Sequence, residues 1–130
     1  MNYFKPMLSS VLVVLSLSAC ADRASDLEGK WVIDLEATLQ NMGKLGTPPG
    51  AIEDMRKSFE GGRLYITPQE VKLSVAGRPE QVSLPYKYVG QASSCFNLEI
   101  KSQVHSYCVS NGSLEVHDPT TKLVVVYSRK

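Results

Sequence analysis

The chain has 130 residues, 14 basic and 13 acidic side chains and 43% apolar residues, which is the make-up of one small globular domain. Lys5 is the sole charge before position 20, so the rest of the chain is nearly neutral. A nucleic-acid-binding domain would carry a basic stripe, and attraction to anionic membranes or strongly acidic substrates would need a net positive charge, so neither is expected.

Met1 to Lys5 carries one positive charge, and Met7 to Leu17 follows as an uncharged apolar run of 11 residues. A bilayer-spanning helix needs about 20 such residues, so this is the charged start and apolar core of a secretory signal. Leu17-Ser18-Ala19-Cys20 closes it. Read from the residues alone, this is a secretory signal with a cysteine at its end. With that cysteine, L-S-A-C resembles the lipobox of bacterial lipoproteins. The resemblance implies cleavage before Cys20, lipidation of its thiol and acylation of the new amino terminus. Several acyl chains hold a protein at a membrane where one does so only marginally. In enteric bacteria an aspartate directly after the cysteine signals inner-membrane retention. Here Ala21 stands in that place and Asp22 one later, so the resemblance implies the periplasmic face of the outer membrane. The expected organisation is a signal peptide over 1–19, a lipidated cysteine and short tether over 20–27, and one β-rich domain over 28–130.

Gly29 to Asp34 reads as a first strand. Leu35, Leu39 and Met42 recur at helical spacing, and after the Pro48-Pro49 interruption Ile52, Met55 and Phe59 do so again. Thr47 is the expected N-cap of that second helix, and Gly61-Gly62 its stop. Strands follow: Arg63 to Ile66, Glu70 to Val75, and Gln81 to Val89, where Pro85 points to an edge or a bulge. Cys95 to Ile100 and Gln103 to Cys108 alternate around Lys101-Ser102. Asn111-Gly112 is a strong hairpin signal, and Asp118-Pro119-Thr120-Thr121 turns the chain into Leu123 to Tyr127.

With Cys20 set aside for lipid, Cys95 and Cys108 remain as a pair in an exported chain. A two-residue turn at Lys101-Ser102 places them opposite each other at a non-hydrogen-bonded position, where side chains come closest, so a disulfide is expected. Lys-Ser is not a preferred turn dipeptide, though a longer symmetric loop would keep the same pairing. No cysteine–histidine spacing suggests a metal site, and no cofactor motif is present.

The resulting meander puts Phe96, Leu98, Ile100, Tyr107, Val109, Leu114, Val116, Leu123, Val125 and Tyr127 on one face. Val104, Val124 and Val126 lie on the other face with the disulfide. About eight strands and two short helices predict a mainly β (α+β) fold: a curled antiparallel meander or small half-barrel. Its helices, inserted after the first strand, are expected over one open end. Leu27-Glu28-Gly29-Lys30-Trp31 is similar to the G-x-W opening of lipocalin-like β-barrels. That resemblance implies that Trp31 closes the barrel floor with Arg129 packed across it. The helical insertion departs from the true lipocalins, so the resemblance bears on architecture alone.

No G-x-S-x-G elbow, H-E-x-x-H pair or glycine-rich phosphate loop is present. His105 falls on the apolar parity opposite Leu98 and reads as structural, while His117 reads as solvated. Ser93, Ser94, Ser102, Ser106 and Ser110 have no activating context. Glu53 and Asp54 belong to a charged helix face, and Asn111-Gly112-Ser113 matches a glycosylation pattern that turn chemistry explains. Tyr86, Tyr88 and Tyr107 offer apolar area with a polar tip, which suits a small amphiphilic ligand. Lys44-Leu45-Gly46 is the best projecting loop for a protein partner. The expectation is a membrane-held, non-enzymatic binding module for an amphiphile. The alternative is an immunity or inhibitor lipoprotein directed at a toxin or hydrolase, and a third class is an enzyme with a polar cluster around His105.

Overall fold

The computed structural model describes residues 25–75 and 81–130; the expected signal segment and Cys20 lie outside them. In chain order the elements are β1 (Gly29–Ile33), α1 (Leu35–Lys44), α2 (Pro49–Phe59), β2 (Arg63–Ile66), β3 (Glu70–Ser74), β4 (Val82–Pro85), β5 (Lys87–Ala92), β6 (Cys95–Ile100), β7 (Gln103–Ser110), β8 (Ser113–His117) and β9 (Val124–Arg129). The nine strands form a single antiparallel sheet in the order β4-β3-β2-β1-β9-β8-β7-β6-β5, nearly closed into a barrel. The fold is mainly β, as the alternation predicts.

The expected Gln81–Val89 strand is two strands, broken at Tyr86. Pro85 has no N–H for the ladder, and the Tyr86 N–H goes instead to the Gln69 carbonyl at 3.1 Å. Glu70 pairs with Pro85 and Lys87 with Glu99. The chain therefore leaves one edge of the sheet at β4 and joins the opposite edge at β5. A seam between these strands is what keeps the barrel from closing.

The hairpin registers match the alternation. Cys95 pairs with Cys108, Leu98 with His105 and Ile100 with Gln103, and Val109 with Leu114 in the next hairpin. Lys101 (φ 51°) and Ser102 (φ 67°) are both left-handed, as are Asn111 (50°) and Gly112 (78°). Both hairpins thus turn on two residues with the positive φ that matches strand twist. The Ser94 carbonyl accepts from the Val109 N–H at 3.0 Å, which makes Cys95–Cys108 the narrow pair, and their sulfurs are bonded at 2.02 Å.

The barrel core gathers Leu27, Trp31, Leu64, Ile66, Val71, Phe96, Leu98, Ile100, Tyr107 and Leu114. Leu27 is fully buried in a short 3-10 turn, Ser25–Leu27. Leu27 is thus part of the packed core, while Ser25 and Asp26 stay exposed. Leu123 lies just before β9, and Val126 is buried although it points outward.

α1 explains that burial. β1 pairs with β9 only over Trp31–Ile33, which leaves the β9 edge at Val124–Val126 without a strand partner. α1 docks there instead. The buried Thr38 hydroxyl accepts from the Val126 N–H at 2.9 Å, Asn41 donates to the Val124 carbonyl at 3.0 Å, and the Asp34 N–H reaches the Val126 carbonyl at 2.7 Å. Leu39 and Met42 are buried on this side, outside the barrel core. The helices therefore do not lie across a mouth as expected: α1 stands along β9, and α2 packs on α1. Thr47 is not the cap of α2. Its N–H closes the end of α1 on the Met42 carbonyl, and Pro48 occupies the cap position without a side-chain bond.

Candidate functional site

One end of the barrel is sealed by residues 25–31 and the last strand. The Trp31 ring is fully buried, and its Nε1 donates to the Leu27 carbonyl at 2.9 Å. The Arg129 guanidinium lies 3.8 Å from the ring centroid and donates to the Glu28 and Asp26 carbonyls, each at 2.9 Å. Stacking and the planar fork of donors are both properties of arginine. Arg129 thus packs across the Trp31 ring at this end of the barrel.

The tyrosines point into this barrel. Tyr107 is 5% exposed, and Tyr86, Tyr88 and Tyr127 pack against the core. The Tyr86 hydroxyl donates to the Thr67 carbonyl at 2.6 Å, and the Tyr88 ring lies 6.5 Å from that of Phe96. Burial raises the pKa values of Tyr107 and Tyr127, the latter to about 12, and the neighbouring Tyr127 and Tyr86 raise that of Tyr107 further. Tyr86, Tyr107 and Tyr127 therefore share one interior region, beside the corner where the chain crosses the seam. Tyr88 belongs with Phe96, next to a bulge at Val89 that shifts the β5–β6 register.

No family model, curated protein or solved structure matches the chain. The functional reading therefore rests on geometry.

Lys44 ends α1, and Leu45 and Gly46 begin the turn to α2, with Leu45 49% exposed and Gly46 at φ 84°. His105 keeps the parity read from the sequence; its Nδ1 is buried and has no hydrogen-bond partner. Asp118 lies close enough for His105 to favour its charged form. Its carboxylate is held mainly by the Thr120 N–H, with the Thr121 hydroxyl also donating, and these bonds pull its pKa below the usual range. His117 reaches Glu115 at 3.5 Å on the outer face. Glu53 pairs with Arg56 within α2, and Arg56 also bonds Glu36, so this guanidinium ties α2 to α1. Among the described residues no three His, Cys, Asp or Glu side chains are grouped to hold a metal ion.

Sequence reasoning missed two features. Thr38 and Asn41 are polar residues on an otherwise apolar helix stripe, and that mismatch was their signal. The second is a groove of about 400 Å³ on the outer face of β1, β2 and β3. Lys30, Tyr65 and Lys72 at its centre come from three separate strands and are brought together only by register.

Proposed function

We propose that this chain is a lipoprotein, held at a membrane through Cys20, whose barrel is a non-enzymatic binding module for a small amphiphile. One observation carries the reading: three tyrosines, Tyr86, Tyr107 and Tyr127, meet inside an apolar barrel beside an unclosed seam. Apolar walls with a few polar tips suit a molecule that is mostly hydrocarbon with a polar group. The seam is the route in, because β4 and β5 each have a free edge and move apart without breaking a ladder. The L-S-A-C motif supports the anchor, and the periplasmic face of the outer membrane is its proposed place.

The test is the native mass of residues 21–130, purified from the periplasm. A retained small molecule, lost when Tyr107 is replaced by phenylalanine while the fold persists, is the expected result. A bare protein that also fails to take up lipid-like probes overturns the amphiphile reading. The anchor is tested separately by the mass of the mature full chain, which Cys20→Ser strips of its lipid.

A second reading has its own observation. Leu45 is exposed at the tip of a helical hairpin, between Lys44 and Gly46, as an apolar contact for a partner protein would be. Replacing Leu45 by serine would then abolish inhibition of a toxin or hydrolase and leave the barrel unaffected.

A further inference from the structure

The near-neutral balance of the whole chain conceals a segregated charge on one face. Lys30, Tyr65 and Lys72 are cross-strand neighbours on β1, β2 and β3, with each lysine nitrogen 6.0 Å from the Tyr65 ring centroid. Arg63 and Lys130 complete the groove, and none of its 10 described lining residues is acidic. Glu70 reaches Lys72 at 3.5 Å, whereas Lys30, Arg63 and Lys130 have no ion-pair partner among the described residues. Tyr65 is 38% exposed at the centre. Four cations in one groove, two of them beside an aromatic ring and with no carboxylate among the described lining residues, favour an anion.

Position identifies its source. Lys30 lies two residues beyond Glu28, whose carbonyl is tied to Arg129, and the Lys130 N–H bonds the Lys30 carbonyl at 3.1 Å. Two of the cations thus stand at the end of the barrel where the chain enters it. From Cys20 to Ser25 an extended chain spans at most about 17 Å, so an anchor at Cys20 holds this end close to the lipid headgroups. We infer that the Lys30–Tyr65–Lys72 groove binds the phosphate groups of anionic phospholipids on the membrane that carries the anchor, and so orients the barrel on it. The inference rests on the proposed anchor for its choice of ligand.

Residues 21–130 contain all nine strands, both helices and the disulfide, so the unlipidated chain is a suitable test object. It is sedimented with vesicles of pure phosphatidylglycerol and of pure phosphatidylcholine. Each cation near an anionic surface contributes about fivefold to binding. The Lys30→Gln/Arg63→Gln/Lys72→Gln variant should therefore partition on the order of 100-fold less on phosphatidylglycerol. Lys44→Gln/Lys101→Gln/Lys122→Gln, which makes the same change in net charge elsewhere, should retain binding. Equal loss in both variants, or retention that ignores headgroup charge, overturns the groove as the site. Saturable binding of inorganic phosphate without retention on vesicles overturns the lipid source. The mass of the mature chain reports the anchor independently, so failure of the anchor is not mistaken for failure of the groove.

Discussion

Arg129 is exposed at its surface yet makes the most consequential polar contacts at the floor, two carbonyl bonds and a stacked ring. A hydrogen bond from a charged group contributes about 1.5–3 kcal/mol, and solvent at this position favours the lower end. Arg129→Ala is expected to cost about 2 kcal/mol in urea unfolding, with a red-shifted and less intense Trp31 emission. Arg129→Lys should recover little of it, because an ammonium cannot present two parallel donors or stack. The interior tyrosines set an alkaline limit. Their folded pKa values lie above the ordinary tyrosine value of 10, so their stabilising contribution is intact below pH 10. As the unfolded chain ionises above that, stability falls until the folded Tyr127 titrates at about 12. Tyr127→Phe should therefore flatten the loss of melting temperature between pH 10 and pH 12.

At the level of elements, the hairpins were the most legible part of the sequence. Alternation fixes which residues face inward, and with a two-residue turn it fixes the Cys95–Cys108 pairing as well. Lys101 and Ser102 nevertheless hold a left-handed turn that costs L-residues about 1–2 kcal/mol each. Replacing them with Asn-Gly, as at 111–112, should raise stability by about 1–2 kcal/mol without a change in register. The docking of α1 was harder to read, because it depends on polar side chains standing in for a strand. Thr38→Val keeps the shape of the side chain but leaves the buried Val126 N–H without an acceptor, at an expected cost of about 1–3 kcal/mol. The break at Tyr86 escaped for a related reason. Pro85 signalled an edge or bulge, but nothing local says that the chain will cross to the opposite edge of the sheet. The groove around Tyr65 was invisible for the same cause, since Lys30 and Lys72 are distant in sequence and meet only through β2.

For the whole molecule, the sealed floor and the open seam imply uneven stability. Amides of β4 and β5 that face the seam should exchange with solvent fastest among the strands, and those of β7, β8 and β9 slowest, in native-state hydrogen exchange. Uniform protection across β4 and β5 would show that the barrel is closed in solution. The strand order has another consequence. Every strand pairing joins neighbours in sequence except that of β1 with β9, the first and last strands. The meander from β5 to β9 can therefore assemble as a growing row of hairpins, each closed by a short loop. The floor cannot, because Trp31 waits for a residue 98 positions later. During synthesis or passage through a membrane, the barrel stays unfinished until Arg129 has emerged. A nascent chain stalled a few residues short of that point would hold its hairpins but leave Trp31 without its lid.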